Sequence, residues 1–538
     1  MNHSTLTALA VMMLLIPFAL GIAGLALLWL WPALPGAGPG RQMGYATVVA
    51  SLLELLLSLV LSGNLHGQPA LFFSWDIVVA QVDFHMDVLS IYFILLVNII
   101  AFVVAWNACH YVRNGSVNQG VLHHPVFFHA SINLFHGTML LVPMVDNLIG
   151  LWIAIEATTL VSALLVAYQN TRNAWEAAWK YLIITSTGIV LALLGTMFLA
   201  NAAYDVDGSL LPLDASGQPL DSMMNWTFLM VLARIDAFDA SANLVKLSFL
   251  LVLVGYGTKA GLAPMHTWLP DGHGEAPAPI SALLSGVLLK SALYAILRFY
   301  TITNTVLDDG GHFTSTILLG TGLLSLLVAT PFILKENRFK RVLAYHSLEH
   351  MGIITFGIGI GGTVALAGAL LHTLNHAITK SLMFLSFGNI LQRYEQHAQA
   401  QGRELDQDRV TGVLRSMPAT GLILSLGGLA LVGTPPFNIF LSEFIILWGT
   451  FSRPWEPVTI VAAVLFLLST TLIFYGLVRH LSRLVLHRMP NEQRFRETPM
   501  ELFPLVLLFT LVVLSGIGIV PPLSGLIDES VRILMDMP

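Results

Sequence analysis

The chain has 538 residues, of which 56% are hydrophobic and only 10% charged, against roughly 25% charged in an ordinary soluble protein. That balance excludes a soluble globular enzyme and a disordered tail, and a net charge of −6 leaves no basic footprint for nucleic acid. One cysteine, Cys109, excludes a disulfide framework, a Cys-ligated iron–sulfur cluster and a structural zinc knuckle.

A chain so poor in charge reads as an all-α polytopic membrane protein. A spanning helix needs about 20 mostly apolar residues. Windows of that size predict fourteen transmembrane helices, spans 1–14 in order: 5–31, 44–63, 86–107, 126–145, 147–169, 178–201, 245–270, 279–303, 313–335, 341–361, 363–390, 413–450, 455–480 and 502–521. No Lys or Arg precedes span 1 and no small-residue cleavage site follows it, so it is expected to stay as a helix rather than leave as a signal peptide.

Cytoplasmic loops collect Lys and Arg. With the N-terminus outside, the loops after odd-numbered spans, with the span ends beside them, carry sixteen of these residues, including the runs Lys335–Arg341 and Arg479–Arg496, and the opposite loops and span ends carry five. Lys180, Lys259, Lys290 and Lys380 fall inside spans. This split predicts both termini outside a plasma membrane of bacterial or archaeal type. The outside loop 202–244 is long and acidic.

Two long spans are interrupted. Span 7 contains Lys259-Ala-Gly-Leu-Ala-Pro264 and then Trp268-Leu-Pro270; span 12 contains Gly433-Thr-Pro-Pro-Phe437. Proline removes a backbone donor, and in lipid the freed carbonyls need other partners. Broken helices at matching places in two halves are the mark of a transporter built from repeats. The breaks are five spans apart. They predict inverted five-helix repeats over spans 4–8 (126–303) and 9–13 (304–480), flanked by spans 1–3 (1–125) and a C-terminal helix (481–538). The glycine patch Gly357-Ile-Gly-Ile-Gly-Gly362 reads as close helix packing.

A charge at bilayer depth costs roughly 2.5–3.5 kcal/mol on insertion scales, so ionisable residues within spans point to function. Glu156 lies in the middle of span 5, with Lys259 beside the span 7 break as its expected partner. Moving a carboxylate near a buried lysine changes the lysine's protonation. Lys290 is mid-span in span 8, a buried lysine able to carry a proton. His372, His376 and Lys380 recur every four residues on one face of span 11. Histidine titrates near neutral pH, which favours a proton relay; zinc binding is the rival and needs a further ligand from another helix. Glu443 follows the span 12 break and mirrors Lys259. Lys180 is expected to snorkel to the interface. His346, Glu349 and His350 follow the basic cluster on span 10 and either extend a proton path or lie near the surface. His266 and His273 are expected to bond carbonyls freed by the span 7 break, and His123-His124 to be solvated in a loop. Glu54 has no role that the sequence suggests. The chain has no phosphate loop, flavin motif or cluster ligands, so any pumping energy must come from a gradient or a partner.

These residues also carry a resemblance. Tyr256-Gly-Thr-Lys-Ala-Gly-Leu-Ala-Pro-Met-His-Thr-Trp-Leu-Pro-Asp271, Glu275-Ala-Pro-Ala-Pro-Ile-Ser-Ala-Leu-Leu284, Phe339-Lys-Arg-Val-Leu-Ala-Tyr-His-Ser347, His372-Thr-Leu-Asn-His-Ala-Ile-Thr-Lys380 and Gly433-Thr-Pro-Pro-Phe437 through Glu443-Phe444 resemble the antiporter-like subunits of respiratory complex I and the Mrp sodium/proton antiporters. Glu176-Ala-Ala-Trp-Lys-Tyr-Leu182 and Ser347-Leu-Glu-His-Met-Gly352 are similar to the component F branch of hydrogenase-4, including formate hydrogenlyase relatives. Lys290 departs from that branch and matches the complex I relatives. The resemblance implies a proton-translocating subunit of a redox-driven complex. Glu156 would pair with Lys259, Lys290 and His376 would form the central relay, and Glu443 would be the distal group. It implies no cofactor in this chain, redox centres and further membrane subunits as partners, and a lipid bilayer around them. A sodium/proton antiporter and the membrane subunit of an inorganic-carbon uptake complex, partnered there by a zinc protein, are the alternatives.

Overall fold

A computed structural model describes residues 1–30, 37–77, 80–114, 124–204, 224–234, 238, 242–307, 310–403, 405, 410–454, 457–487 and 494–537. Every predicted span contains helix, in several cases divided into shorter segments. They are α1 (His3–Leu30), α2 (Ala37–Leu65), α3 (Val88–Asn114), α4 (Pro125–Leu141), α5 (Leu148–Val166), α6 (Arg172–Tyr204), α7 (Trp226–Arg234), α8 (Ala242–Ala260), α9 (Leu269–Glu275), α10 (Ala278–Leu283), α11 (Leu289–Leu307), α12 (His312–Lys335), α13 (Phe339–Ile360), α14 (Gly362–Ala400), α15 (Val413–Ser416), α16 (Pro418–Leu431), α17 (Asn438–Phe451), α18 (Pro457–Leu486), α19 (Pro499–Ile517) and α20 (Pro521–Leu534). Among the described residues, nine helices are long and apolar enough to cross a membrane, and α16 and α17 are shorter apolar helices.

The burial pattern is that of a protein in lipid. Large apolar side chains such as Ile183, Val190, Met197, Val461 and Val506 face outward, while Lys259, Lys290, His372, His376 and Lys380 are enclosed. A soluble protein almost never fully buries a lysine without a partner. The chain is a membrane protein whose polar chemistry lies inside the helix bundle.

Local sequence explains the helix ends. Asn147 caps α5 by accepting from the Ile149 and Gly150 amides. Thr498 and Glu501 form a capping box at α19, with Pro499 in its first turn. The glycine patch packs as expected: an added Cβ at Gly359 would strike the backbone of Leu319.

Three features go beyond the predicted spans. Between α2 and α3 lies a hairpin of β1 (Leu71–Ile77) and β2 (Ala80–Met86), antiparallel with Phe73 opposite Phe84. Its alternating apolar and polar residues have the period of a strand, and at seven residues each the strands are too short to register in a search for spans. The long loop after α6 contains α7, docked by Thr227, which donates to both oxygens of Asp146. The amphipathic α20 follows α19 and packs on α3, α11 and α14. Most of the acidic loop, and His123, lie outside the described residues.

Both interrupted spans are broken where the prolines predict. After α8, Gly261 adopts φ +77°, and a short turn at His266–Trp268 leads into α9. After α16, Gly433 adopts φ +68° before α17 starts. A cis X–Pro bond occurs at each break, Ala263–Pro264 and Pro435–Pro436.

Candidate functional site

At the first break, Lys259 occupies the last turn of α8 and is fully enclosed. Its Nζ donates to the Tyr181 hydroxyl at 2.7 Å and to Thr159 Oγ1. It also lies 4.9 Å from the Tyr181 ring centroid. Glu156 sits one turn before Thr159 on α5. Its Oε2 lies 3.3 Å from Thr159 Oγ1, and its Oε1 accepts from Ser186 at 2.6 Å. The expected carboxylate and lysine are therefore neighbours joined through a hydroxyl. Trp268 occupies one carbonyl freed by the break, donating to Thr258 O at 2.8 Å. His266 lies beside the Pro264 carbonyl, and its Nδ1 has no hydrogen-bond partner among the described residues. His273 bonds no freed carbonyl: among the described residues, neither of its ring nitrogens has a hydrogen-bond partner.

The centre is built around an irregular turn. Residues Leu284–Leu288 form one turn of π-helix between α10 and α11. The wide turn sends the Leu289 amide to the Leu284 carbonyl, and the neighbouring Ser285 carbonyl accepts from Lys290 Nζ. Single π-turns are frequent at functional positions. Lys290 Nζ is also 2.7 Å from His376 Nδ1. The His376 ring stacks on His350 with centroids 4.7 Å apart. His350 Nδ1 is 2.9 Å from His372 Nε2, and His372 Nδ1 is 2.9 Å from Ser442 Oγ. A line of titratable groups thus runs from α11 through α14 and α13 back to α14, ending on α17.

More groups flank this line. His346 Nδ1 lies 2.6 Å from Glu349 Oε2, and both are fully enclosed. The alternative that put them near the surface is corrected: α13 lies in the core, and its helical spacing turns His346, Glu349 and His350 inward together. Lys380 Nζ donates to the Leu343 carbonyl one turn away on α13 and lies over the Phe384 ring. Glu443 stands against Gly433, where a Cβ would collide with its carboxylate. Ligating atoms of His346, Glu349 and His350, and of His350, His372 and Glu443, lie within 4.8 Å of one another. The donors from a second helix that the zinc alternative required are present, so these groups have the composition to hold a divalent transition metal.

Lys180 stands apart. It is half exposed and pairs with Glu176 at 2.7 Å and Asp271 at 3.2 Å. Near it, Arg341 bridges Asp271 and Glu336. Beside these pairs opens a polar cleft of about 320 Å³ lined in part by Glu275, Arg338, Lys340, Gln392 and Glu395. Glu395 lies beyond the predicted end of span 11, at residue 390. Burial raises its carboxyl above the ordinary range, with Lys340 opposing the shift.

Several partners leave no mark in the sequence. Thr159 and Tyr181 are hydroxyls in a protein with many, and nothing local marks them as bridges to Lys259. Arg298 counts among the loop charges by its position in the sequence, yet it is buried on α11 and grips Asp87 with two hydrogen bonds of 2.7 Å. Its guanidinium lies 4.3 Å from the Trp226 ring centroid, which ties α7 to the bundle.

A family profile described as NADH:quinone oxidoreductase/Mrp antiporter, TM, matches residues 145–473, a stretch that contains every group in the line. A hydrogenase-4 component F homolog from Methylacidiphilum infernorum (isolate V4) is 38% identical over 372 residues, 69% of this chain and 73% of the relative. Hydrogenase-4 component B from Escherichia coli (strain K12) is 27% identical over 390 residues, 69% of this chain, and the match spans about half of that longer protein, 52%. A chain in the structure of the membrane-bound sulfane sulfur reductase, an archaeal respiratory membrane complex, superposes with a TM-score of 0.78 at 21% identity, covering 98% of this chain and 97% of the other. By sequence and by fold, the chain belongs to the NADH:quinone oxidoreductase/Mrp antiporter transmembrane family.

Proposed function

We propose that the chain translocates protons as the membrane subunit of a redox-driven complex of hydrogenase or complex I type. The observation that carries this reading is the enclosed run Lys290, His376, His350 and His372, in which each group touches the next. Every member can gain and lose a proton, and such runs inside a bundle mark proton relays. Glu156 and Lys259, coupled through Thr159, form the switch in the first half. Lys380 and the His346–Glu349 pair flank the relay, and Glu443 is the group from which protons leave. The energy comes from partner subunits that hold the redox cofactors.

The same reading takes the fourteen predicted spans as two inverted five-helix units, 126–303 and 304–480, flanked by spans 1–3 (1–125) and a C-terminal helix (481–538), with both termini outside a bacterial or archaeal plasma membrane. The relatives named hydrogenase-4 components support the hydrogenase-type assignment.

The test is proton translocation by the assembled complex in sealed vesicles, driven by its electron donor and followed with a trapped pH-sensitive dye. Lys290→Ala and His376→Ala should each abolish acidification or alkalinisation of the lumen while subunits still co-purify. Translocation at the wild-type rate in both variants would remove the relay. Sodium-dependent proton flux by the isolated chain, with no partner present, would replace this reading with the sodium/proton antiporter.

A further inference from the structure

Glu54, which has no role on sequence grounds, is fully enclosed in α2. Its Oε2 lies 2.9 Å from His136 Nδ1 on α4. The other ring nitrogen, His136 Nε2, is 2.7 Å from Asn98 Oδ1 on α3. The Asn98 amide in turn donates to the Glu54 backbone carbonyl at 3.2 Å and to Met13 Sδ on α1. Residues of four helices thus meet in one cluster around Glu54 and His136. Among the described residues, neither Glu54 side-chain oxygen has a hydrogen bond of good geometry, although the imidazole stands against one of them. A buried charge held so loosely is costly, whereas a carboxyl that exchanges a proton with its neighbour needs only short-lived contacts.

The pair does not stand alone. Thr47, Ser51, Glu54 and Ser58 recur at helical spacing on the enclosed face of α2, and His129, Asn133 and His136 do the same on α4. The two stripes are in register: Asn133 Nδ2 donates to Thr47 Oγ1 at 2.8 Å, one or two turns below the Glu54–His136 contact. Both stripes begin at the end of the bundle that carries Arg41 and reach mid-helix at Glu54. Helix α3 separates them from the central relay. One of its faces gives Asn98 to this site, and another packs Ile100 against Gly286 in the π-turn beside Lys290. Its intervening side chains, among them Val97, Val103 and Val104, are apolar and enclosed.

We propose that Glu54, His136 and Asn98 form a second proton-binding site, loaded along the α2–α4 stripe and separate from the line through Lys259, Lys290 and His376. His136 is the titratable group that faces Glu54. Among the described residues, α3 contributes Asn98 to the site and α1 contributes Met13. The site would hold the proton on Glu54 or on His136, with Asn98 fixing the imidazole orientation in either state.

The test is infrared difference spectroscopy of the purified complex between pH 5 and pH 9, in the region of the protonated carboxyl stretch, for wild type and the Glu54→Gln variant. We expect a titrating carboxyl band that disappears in Glu54→Gln and shifts in His136→Gln. An unchanged spectrum in Glu54→Gln would overturn the proposal, because Glu54 would then not change protonation. Should Glu54→Gln fail to assemble, Glu54→Asp provides the same reading by a frequency shift of the band, and an unshifted band overturns it equally. The site also goes beyond a packing role: driven proton translocation in Glu54→Gln should fall at least threefold with a displaced pH profile. The infrared result decides this site even if the Lys290–His376 line proves not to carry protons.

Discussion

Thr159→Val in the assembled complex is expected to cut driven proton translocation about tenfold, and Lys259→Ala to abolish it. Valine has nearly the shape of threonine, so packing on α5 is kept while the hydroxyl that touches both Lys259 Nζ and Glu156 Oε2 is lost. Tenfold in rate corresponds to about 1.4 kcal/mol, which is close to the net contribution of one hydrogen bond to a charged group. Lys259→Ala removes the proton carrier itself and leaves Glu156 with the Thr159 and Ser186 hydroxyls but no cation. Vesicle acidification at matched electron-transfer rates reads both variants. If Thr159→Val translocates at the wild-type rate, Glu156 does not act on Lys259 through that hydroxyl. Its role would then reduce to packing.

The second large effect is on stability. Arg298→Leu is expected to destabilise the chain by about 3–5 kcal/mol, the usual outcome when one partner of a buried ion pair is removed. Asp87 would keep its charge in a dry setting, losing two hydrogen bonds from the guanidinium. Tyr294 would lose the donor that Arg298 supplies at 2.8 Å, and Trp226 the cation over its ring. The double variant Arg298→Leu with Asp87→Asn should recover more than half of that loss, because replacing both charges removes the uncompensated one. Thermal unfolding in mild detergent measures the pair. Equal losses in the single and double variants would mean that Asp87 is solvated in the protein and that the pair contributes little.

Much of the architecture is legible in the residues because membranes impose a simple rule. Long apolar runs must be helical, and Pro264 and Pro435-Pro436 have to break the helices that contain them. The ionisable residues inside spans are equally legible: Lys259, Lys290, His372 and His376 stand out against their apolar neighbours. What the residues do not reveal is contact between helices. His350 lies between His372 and His376 only because α13 packs along α14, and no spacing within α13 reports that. Its neighbours His346 and Glu349 are ambiguous for the same reason, since proximity to a basic loop in sequence says little about depth in the bundle. Arg298 is misread because it lies near the end of a span, where a solvated arginine and a buried clamp look alike. Glu54 is opaque until His136 and Asn98 are brought to it from two other helices. The β hairpin escapes a search tuned to twenty-residue windows.

The π-turn before Lys290 sets an angular register. An α-helix advances about 100° per residue, so the one extra residue absorbed by Leu284–Leu288 rotates all of α11 by roughly that amount relative to α10. Lys290 meets His376 because of this phase shift. Were the turn to relax to ordinary α-helix, with the residue displaced toward the end of α11, the lysine would swing away from the histidines and the Ser285 carbonyl would return to the backbone ladder. One peptide step of winding is thus enough to join or part the lysine and the histidine line, with no hinge and no movement of a whole domain.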